Sequence, residues 1–359
     1  MPPSATDRPS PRTQPPPVSD DPAQFPESSI KAANVSQVEL YSPLRYPGGK
    51  TWLIPHIKEW LSKIEAKTII EPFAGGAIVS LTAVMKEWVD RAILIERDPD
   101  VAAFWRAALQ HGAELAERVR EFRLTPESIL KLEQATPCDV GVAQLPAEDS
   151  GVPVAQAGAP EAAAADRGRQ STGQRVSSCP STPGTDSPEL IVARGFRTLV
   201  LNRTRRGGIL AAGAASIRRG EDDKGIASRW YPDTLASRLE AICQQADRIK
   251  LLERDSTEMM HDLLRSGGED TAVFVDPPYT AGRRLYTYYE LDHERLFKVL
   301  ADRRANVLMT YDATPEIVRL VGHFRLHAVR VSMRTAHHRD RVELVITRDR
   351  LFQEGGRDD

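Results

Sequence analysis

The chain has 359 residues and a formal net charge of −2. That is enough for one large domain or two moderate ones, and any affinity for a polyanion must come from local charge. The three cysteines, Cys138, Cys179 and Cys243, are too scattered for a disulfide framework or a zinc spacing. No apolar run approaches a membrane span and the N-terminus has no apolar signal core, so a soluble, cytoplasmic protein without a membrane partner is expected.

Residues 1–35 are rich in Pro, Ser and Asp, too poor in apolar mass to fold, and read as a disordered tail. Next comes "LRYPGGKTWL", Leu44–Leu53, whose Gly-Lys-Thr looks like the end of a phosphate-gripping loop. The first glycine of that loop would fall at position 44, which is Leu44, and no apolar strand precedes it, so an ATPase reading fails on spacing. A helix should follow, with Trp52, Leu53, Ile57, Trp60 and Leu61 on one face.

From there strands and helices alternate. "KTIIEPFAG" reads as a strand entering a glycine turn, "AIVSLTAVMKEWV" as the next helix, and "RAILIERDPD" as a second buried strand ending in acids. "DRIKLLERD", "DTAVFVDPPY", "NVLMTYD", "FRLHAVRVSM" and "RVELVITR" supply five more strands. Short apolar runs separated by helices predict an α/β fold with a doubly wound, mostly parallel sheet, whose ligands sit at the carboxyl ends of the strands. One stretch breaks the pattern. Residues 136–189 hold small and polar residues, a composition that predicts a disordered insertion.

Three motifs carry chemistry. In "EPFAGGA", Glu71–Ala77, glycines at a strand end let the backbone approach a ligand. The spacing is not that of a dinucleotide fingerprint. About 20 residues further on, an acid ending the second strand can hold the two hydroxyls of a ribose; Glu96 is the candidate and Asp98 its competitor, the bland alternative being a helix cap. Together these suggest a cofactor bearing adenosine. In "VFVDPPYT", Val273–Thr280, a buried strand delivers Asp276, two prolines stiffen the turn, and Tyr279 offers a ring. A carboxylate and a nearby carbonyl can accept both N–H groups of an exocyclic amine while an aromatic ring stacks on an extruded base.

In the order "RYPGGK", "EPFAGG", "LIERD", "LNRTRRGG", "LLERD", "VDPPY", "NVLMTYD" and "RVSMRTAHHRDRVELVIT", the chain resembles the D12 class of DNA adenine-N6 methyltransferases, the Dam-like family. The resemblance implies a Rossmann-like sheet dependent on S-adenosylmethionine, with an inserted, mainly helical target-recognition domain. The implied division is a discontinuous catalytic domain at 36–104 and 248–352, a recognition domain at 105–247 and a flexible tail at 353–359.

Residue by residue, the resemblance implies that Tyr46 and Lys50 border the methionine end of S-adenosylmethionine. Glu71, Pro72, Phe73, Ala74 and Gly75 line the cofactor, Glu96 holds its ribose, and Asp255 lies between cofactor and target base. Asp276, Pro277, Pro278 and Tyr279 form the amine site, Asp276 also facing the cofactor. No metal is implied. Double-stranded DNA is the implied partner, contacted by Asn202, Arg203, Arg205, Arg206, Arg218 and Arg229 and, from a basic loop, by Arg334 and Arg339. A monomer in the nucleoid, with or without a separately encoded restriction endonuclease, completes the expectation. Alternatives on the same fold are enzymes acting on RNA guanine N2 or cytosine N4; a catalytically silent DNA-binding relative is the alternative outside enzymology.

Overall fold

The computed structural model describes residues 20–28, 37–46, 48–135, 187–211, 213–218, 220, 224–280, 287–288, 290–301, 306–334 and 340–348. Seven strands form one sheet: β1 (Thr68–Pro72), β2 (Arg91–Ile95), β3 (Ile249–Leu252), β4 (Thr271–Val275), β5 (Asn306–Asp312), β6 (His327–Arg334) and β7 (Asp340–Thr347). Their order is β3-β2-β1-β4-β5-β7-β6. The pairs from β3 through β5 are parallel; β7 runs antiparallel to both β5 and β6. This mixed α/β sheet is that of a Rossmann-like methyltransferase fold. Strands β1 and β4 are buried almost throughout, as expected for parallel strands covered on both faces.

Helices α1 (Ile54–Lys63), α2 (Ile78–Met85), α3 (Pro99–Gln110), α4 (Gly112–Glu121), α5 (Pro126–Gln134), α6 (Pro188–Thr204) and α7 (Pro232–Gln244) come before β3 or flank β1 and β2. Helices α8 (Ser256–Ser266), α9 (His293–Ala301) and α10 (Pro315–His323) follow. The anticipated amphipathic face is present: Trp52 and Leu53 lie in a 3-10 turn, Lys50–Leu53, leading into α1, and they are buried with Ile57, Trp60 and Leu61. Helices α3–α7 share a single hydrophobic cluster with α1, α2, Ile69 and Leu94. A second cluster, around Phe297, Tyr311 and Ile317, fills the space between the sheet and α9–α10.

Several sequence boundaries shift. Position 104/105, expected to divide two domains, falls inside α3, where Phe104 and Trp105 are both buried in the shared cluster. Helix α6 begins at Pro188 under a Ser187 cap, two residues inside the expected insertion; the rest of that insertion, 136–186, lies outside the described residues, as does the tail 353–359. Part of the expected disordered tail is ordered. Residues 20–28 lie along β6, where Arg330 donates its amide to Pro26 O, Ser28 N donates to Arg330 O, and Arg330 Nε bonds Phe25 O. Composition missed this because one aromatic, Phe25, packed on the second cluster, and a row of main-chain bonds to an open strand edge are enough to fix a short segment.

Candidate active site

Strand order reverses between β1 and β4, and a doubly wound sheet opens a crevice at that point. The crevice is a cavity of about 510 Å³ lined by the turn after β1, the acids after β2, the turn after β4 and the segment 40–51. Tyr46, Lys50, Glu71, Phe73, Ala74, Gly75, Glu96, Asp276 and Pro278 all face it. Pro72 and Pro277 do not line it; they shape the strand ends.

The turn after β1 is tightly constrained. Phe73 (φ 60°), Gly75 (φ 46°) and Ala77 (φ 46°) all take left-handed backbone, unusual for the two non-glycine residues. Phe73 N donates to Ser256 Oγ at 3.1 Å and Trp105 Nε1 to Gly75 O at 2.9 Å, so two distant helices hold the turn. A Cβ at Gly75 would come within 2.9 Å of the Tyr46 ring. The aromatic ring lies flat against the place where a side chain would otherwise stand.

Glu96 leaves the end of β2 buried, its Oε2 accepting the Gly75 amide at 2.8 Å and its Oε1 those of Arg97 and Asp98 at 2.9 and 2.8 Å. Burial pushes it up to about 7 despite these donors. Asp98, the competing acid, caps α3 by accepting the Asp100 amide. Glu71 is also buried and raised to about 7 by desolvation, with Ser80 N donating to its Oε2 at 2.8 Å.

At the end of β4 the Lys50 ammonium lies 2.8 Å from Asp276 Oδ2 and 3.6 Å from Glu343 Oε1. It also donates to Gly48 O and sits 5.0 Å from the centroid of the Tyr279 ring. Burial works against this charge, but Asp276 and Glu343 outweigh it and hold the lysine above its ordinary range. Asp276 Oδ1 accepts from Thr310 Oγ1 at 2.9 Å. The Tyr279 hydroxyl donates to Glu343, and its ring stacks on Tyr311 at 5.7 Å and 24°. Tyr279 is therefore buried rather than open to a base, and it lines a second cavity with Thr280, Asp292 and His293 that shares Pro278 with the first.

Two groups of expectations need correction. Asp255 does not line the cavity: it caps α8 through the Thr257 amide and pairs with Arg97 at 2.8 Å, while its neighbour Ser256 faces inward. Asn202 is fully buried, clamping Arg45 N and O and Gly208 O at 2.7, 2.8 and 2.8 Å. No side chain so enclosed can read a groove. Arg203 is buried and donates to Arg229 O and Pro43 O. Arg205 pairs with Glu133 and bonds Leu210 O. Arg206 and Arg218 are exposed, and Arg229 is half-buried at the cavity. Arg334 ends β6 opposite Asp340, and Arg339 lies outside the described residues.

Glu343, Thr310, Arg45 and Arg238 were not foreseen. Glu343 carried one signal: a lone acid inside the apolar strand "VELVIT". Among the described residues no group of three or more His, Cys, Asp or Glu could hold a metal, and no helix is long and apolar enough to cross a membrane. The donor set fits an adenosine-bearing cofactor: a pinned carboxylate stands beside a glycine turn in a cleft walled by Tyr46. No curated protein matches the chain. Residues 46–137, which carry Tyr46, Lys50, the glycine turn and Glu96, match the family model of the D12 class N6 adenine-specific DNA methyltransferases.

Proposed function

We propose that the protein methylates the N6 amine of adenine within a short sequence of double-stranded DNA, after the base has turned out of the helix. The observation that carries the reading is the shared cavity: Asp276, after β4, and Glu96, after β2, face the same crevice. The first can hold an amine and the second a nucleoside, which brings donor and acceptor of a group together.

S-adenosylmethionine, when bound, supplies a methyl group on a sulfonium, already a good leaving group. The chain's task is then placement. Glu96 would accept from the ribose hydroxyls, and Tyr46 and Gly75 would bound the methionine end. The aromatic amine is a poor nucleophile because its lone pair is delocalised into the ring. Each oxygen of a carboxylate accepts through more than one lone pair, so Asp276 can take an amine N–H while keeping Thr310 and Lys50. An N–H bonded there would favour a localised lone pair on the nitrogen. The nitrogen would gain a methyl and shed one proton, which Asp276, a quarter exposed, could accept. The catalytic part of this reading is the sheet with the turns at its strand ends, and the segment between β2 and β3 would contact DNA.

The test is to express the protein in a strain free of adenine methylation and map modified bases on a plasmid. N6-methyladenine confined to one short motif establishes both chemistry and target. Complete absence of methylated adenine from DNA carrying active protein refutes the reading.

A further inference from the structure

Four arginines, Arg45, Arg203, Arg229 and Arg238, line the branch of the main cavity that lies beside Ser42 and the start of α7. Arg203 is 5% exposed. Its guanidinium donates to neutral main-chain carbonyls: Nε to Arg229 O at 2.8 Å and Nη1 to Pro43 O at 3.4 Å. Arg238 is half-buried and likewise donates to a carbonyl, Ser42 O, at 3.1 Å. Among the described residues neither guanidinium forms an ion pair with a carboxylate. Burying a cation without an opposite charge is unfavourable. The neighbours deepen that cost: burial first, then the charges of Arg45, Arg238 and Arg229, bring Arg203 down to about 9. The first turn of α7 lines the same branch through Thr234 and Leu235, and main-chain amides at a helix N-terminus favour negative charge.

We infer that this branch is a binding site for an oxyanion, a carboxylate or a phosphate, held by Arg229 and Arg238 over the buried charge of Arg203. The branch is continuous with the crevice that holds Tyr46, Lys50 and Asp276. The anion would therefore belong to a molecule that also reaches the reacting centre. Two sources share the chemistry: the carboxylate of the methionine moiety, or a phosphodiester beside the extruded nucleotide. This identification of sources rests on the methyltransferase reading; the site itself does not.

The first measurement is thermal unfolding of the whole chain with inorganic phosphate against chloride at equal ionic strength. A ligand bound only by the folded state raises Tm as its concentration passes Kd. Phosphate should raise the Tm of the wild type, fail to raise that of R238Q, and raise that of R238K, which keeps the charge. Equal shifts in wild type and R238Q, or no shift in the wild type, overturn the site. This measurement involves neither methyl transfer nor cofactor, so its failure is separate from a failure of the proposed activity.

The second compares R229Q and R238Q in binding S-adenosylmethionine and 5′-methylthioadenosine, which lacks the carboxylate. About tenfold weaker binding of the first alone, for one lost charge-assisted contact, assigns the carboxylate. Unchanged cofactor binding, with the slope of log affinity for duplex DNA against log salt reduced by about 1, assigns the phosphodiester. If both affinities and the salt slope are unchanged in both variants, the arginines hold no ligand anion and the inference falls.

Discussion

Lys50 is paired with Asp276 at 2.8 Å, although the two residues lie on opposite sides of the chain's longest sequence gap between site motifs. Its ammonium also approaches Glu343 at 3.6 Å, so one cation serves two carboxylates. K50M would leave them facing each other without compensation. Breaking a buried pair by removing one partner costs about 3–5 kcal/mol; with Asp276 a quarter exposed, the lower end applies. Urea unfolding should show that loss, and methylation should disappear. K50R, which keeps the charge on a bulkier head, should recover more stability than activity.

D276N tests the amine site without removing volume. The Asn side chain can accept from Thr310 but presents a weaker acceptor to an amine and a neutral partner to Lys50. The expected result is loss of methylation by at least about a hundredfold, with cofactor affinity by calorimetry within about threefold of wild type. Full activity in D276N would remove Asp276 from the mechanism.

Glu71 and Glu96 give the protein an unusual pH response. Both are raised to about 7 from 4.5 by burial, so between those values the folded state binds protons that the unfolded state does not. Their contribution is present at pH 4.5 and is lost as pH rises toward 7, on the order of 3 kcal/mol for each. Other groups titrate too, so the comparison is with E71Q, which mimics the protonated acid. From pH 5 to pH 7.5 the wild type should lose stability relative to E71Q, read as the difference in urea midpoints. A constant difference contradicts the burial argument.

Glu96 adds a binding effect of the opposite sense. Its ionised form is the better acceptor for ribose hydroxyls, so cofactor affinity should rise as pH passes through about 7. E96Q should bind more weakly, by about tenfold or more, and its affinity should no longer follow pH in that range.

G75A places a methyl 2.9 Å from the Tyr46 ring at a residue with φ 46°. Both strain and collision oppose it. Cofactor binding should fall by about two orders of magnitude or more, with a drop in Tm; G76A, whose nearest neighbour would be 3.5 Å away, should be far milder.

The sheet was legible because its strands are continuous apolar runs, the mark of burial on both faces. Glycine turns and acids marked which strand ends matter. What could not be read was the partner of each polar group. Asn202 and Arg203 sit in "LNRTRRGG", which looks the same whether its side chains meet phosphate or main-chain carbonyls; the fold sends them inward. Asp255 carried the same ambiguity, since an acid before a helix can serve a ligand or cap the helix. Glu343 escaped notice because its two partners, Lys50 and Tyr279, come from distant loops, and only the β5–β7 pairing brings it between them.

The stretch from Ser42 to Tyr46 hangs from α6 and α7: Asn202 of α6 grips Arg45 by both main-chain atoms, Arg203 of α6 holds Pro43 O, and Arg238 of α7 holds Ser42 O. One wall of the crevice is thus suspended from helices that lie far along the chain. A shortened protein keeping these strands and acids but lacking α6 and α7 would lose those anchors of the segment that carries Tyr46. Asn202, which does not itself line the crevice, therefore helps to set where Tyr46 stands. N202A reports on it directly: stability in urea unfolding should fall by about 2–4 kcal/mol, and S-adenosylmethionine should bind more weakly by calorimetry although Asn202 does not line the crevice.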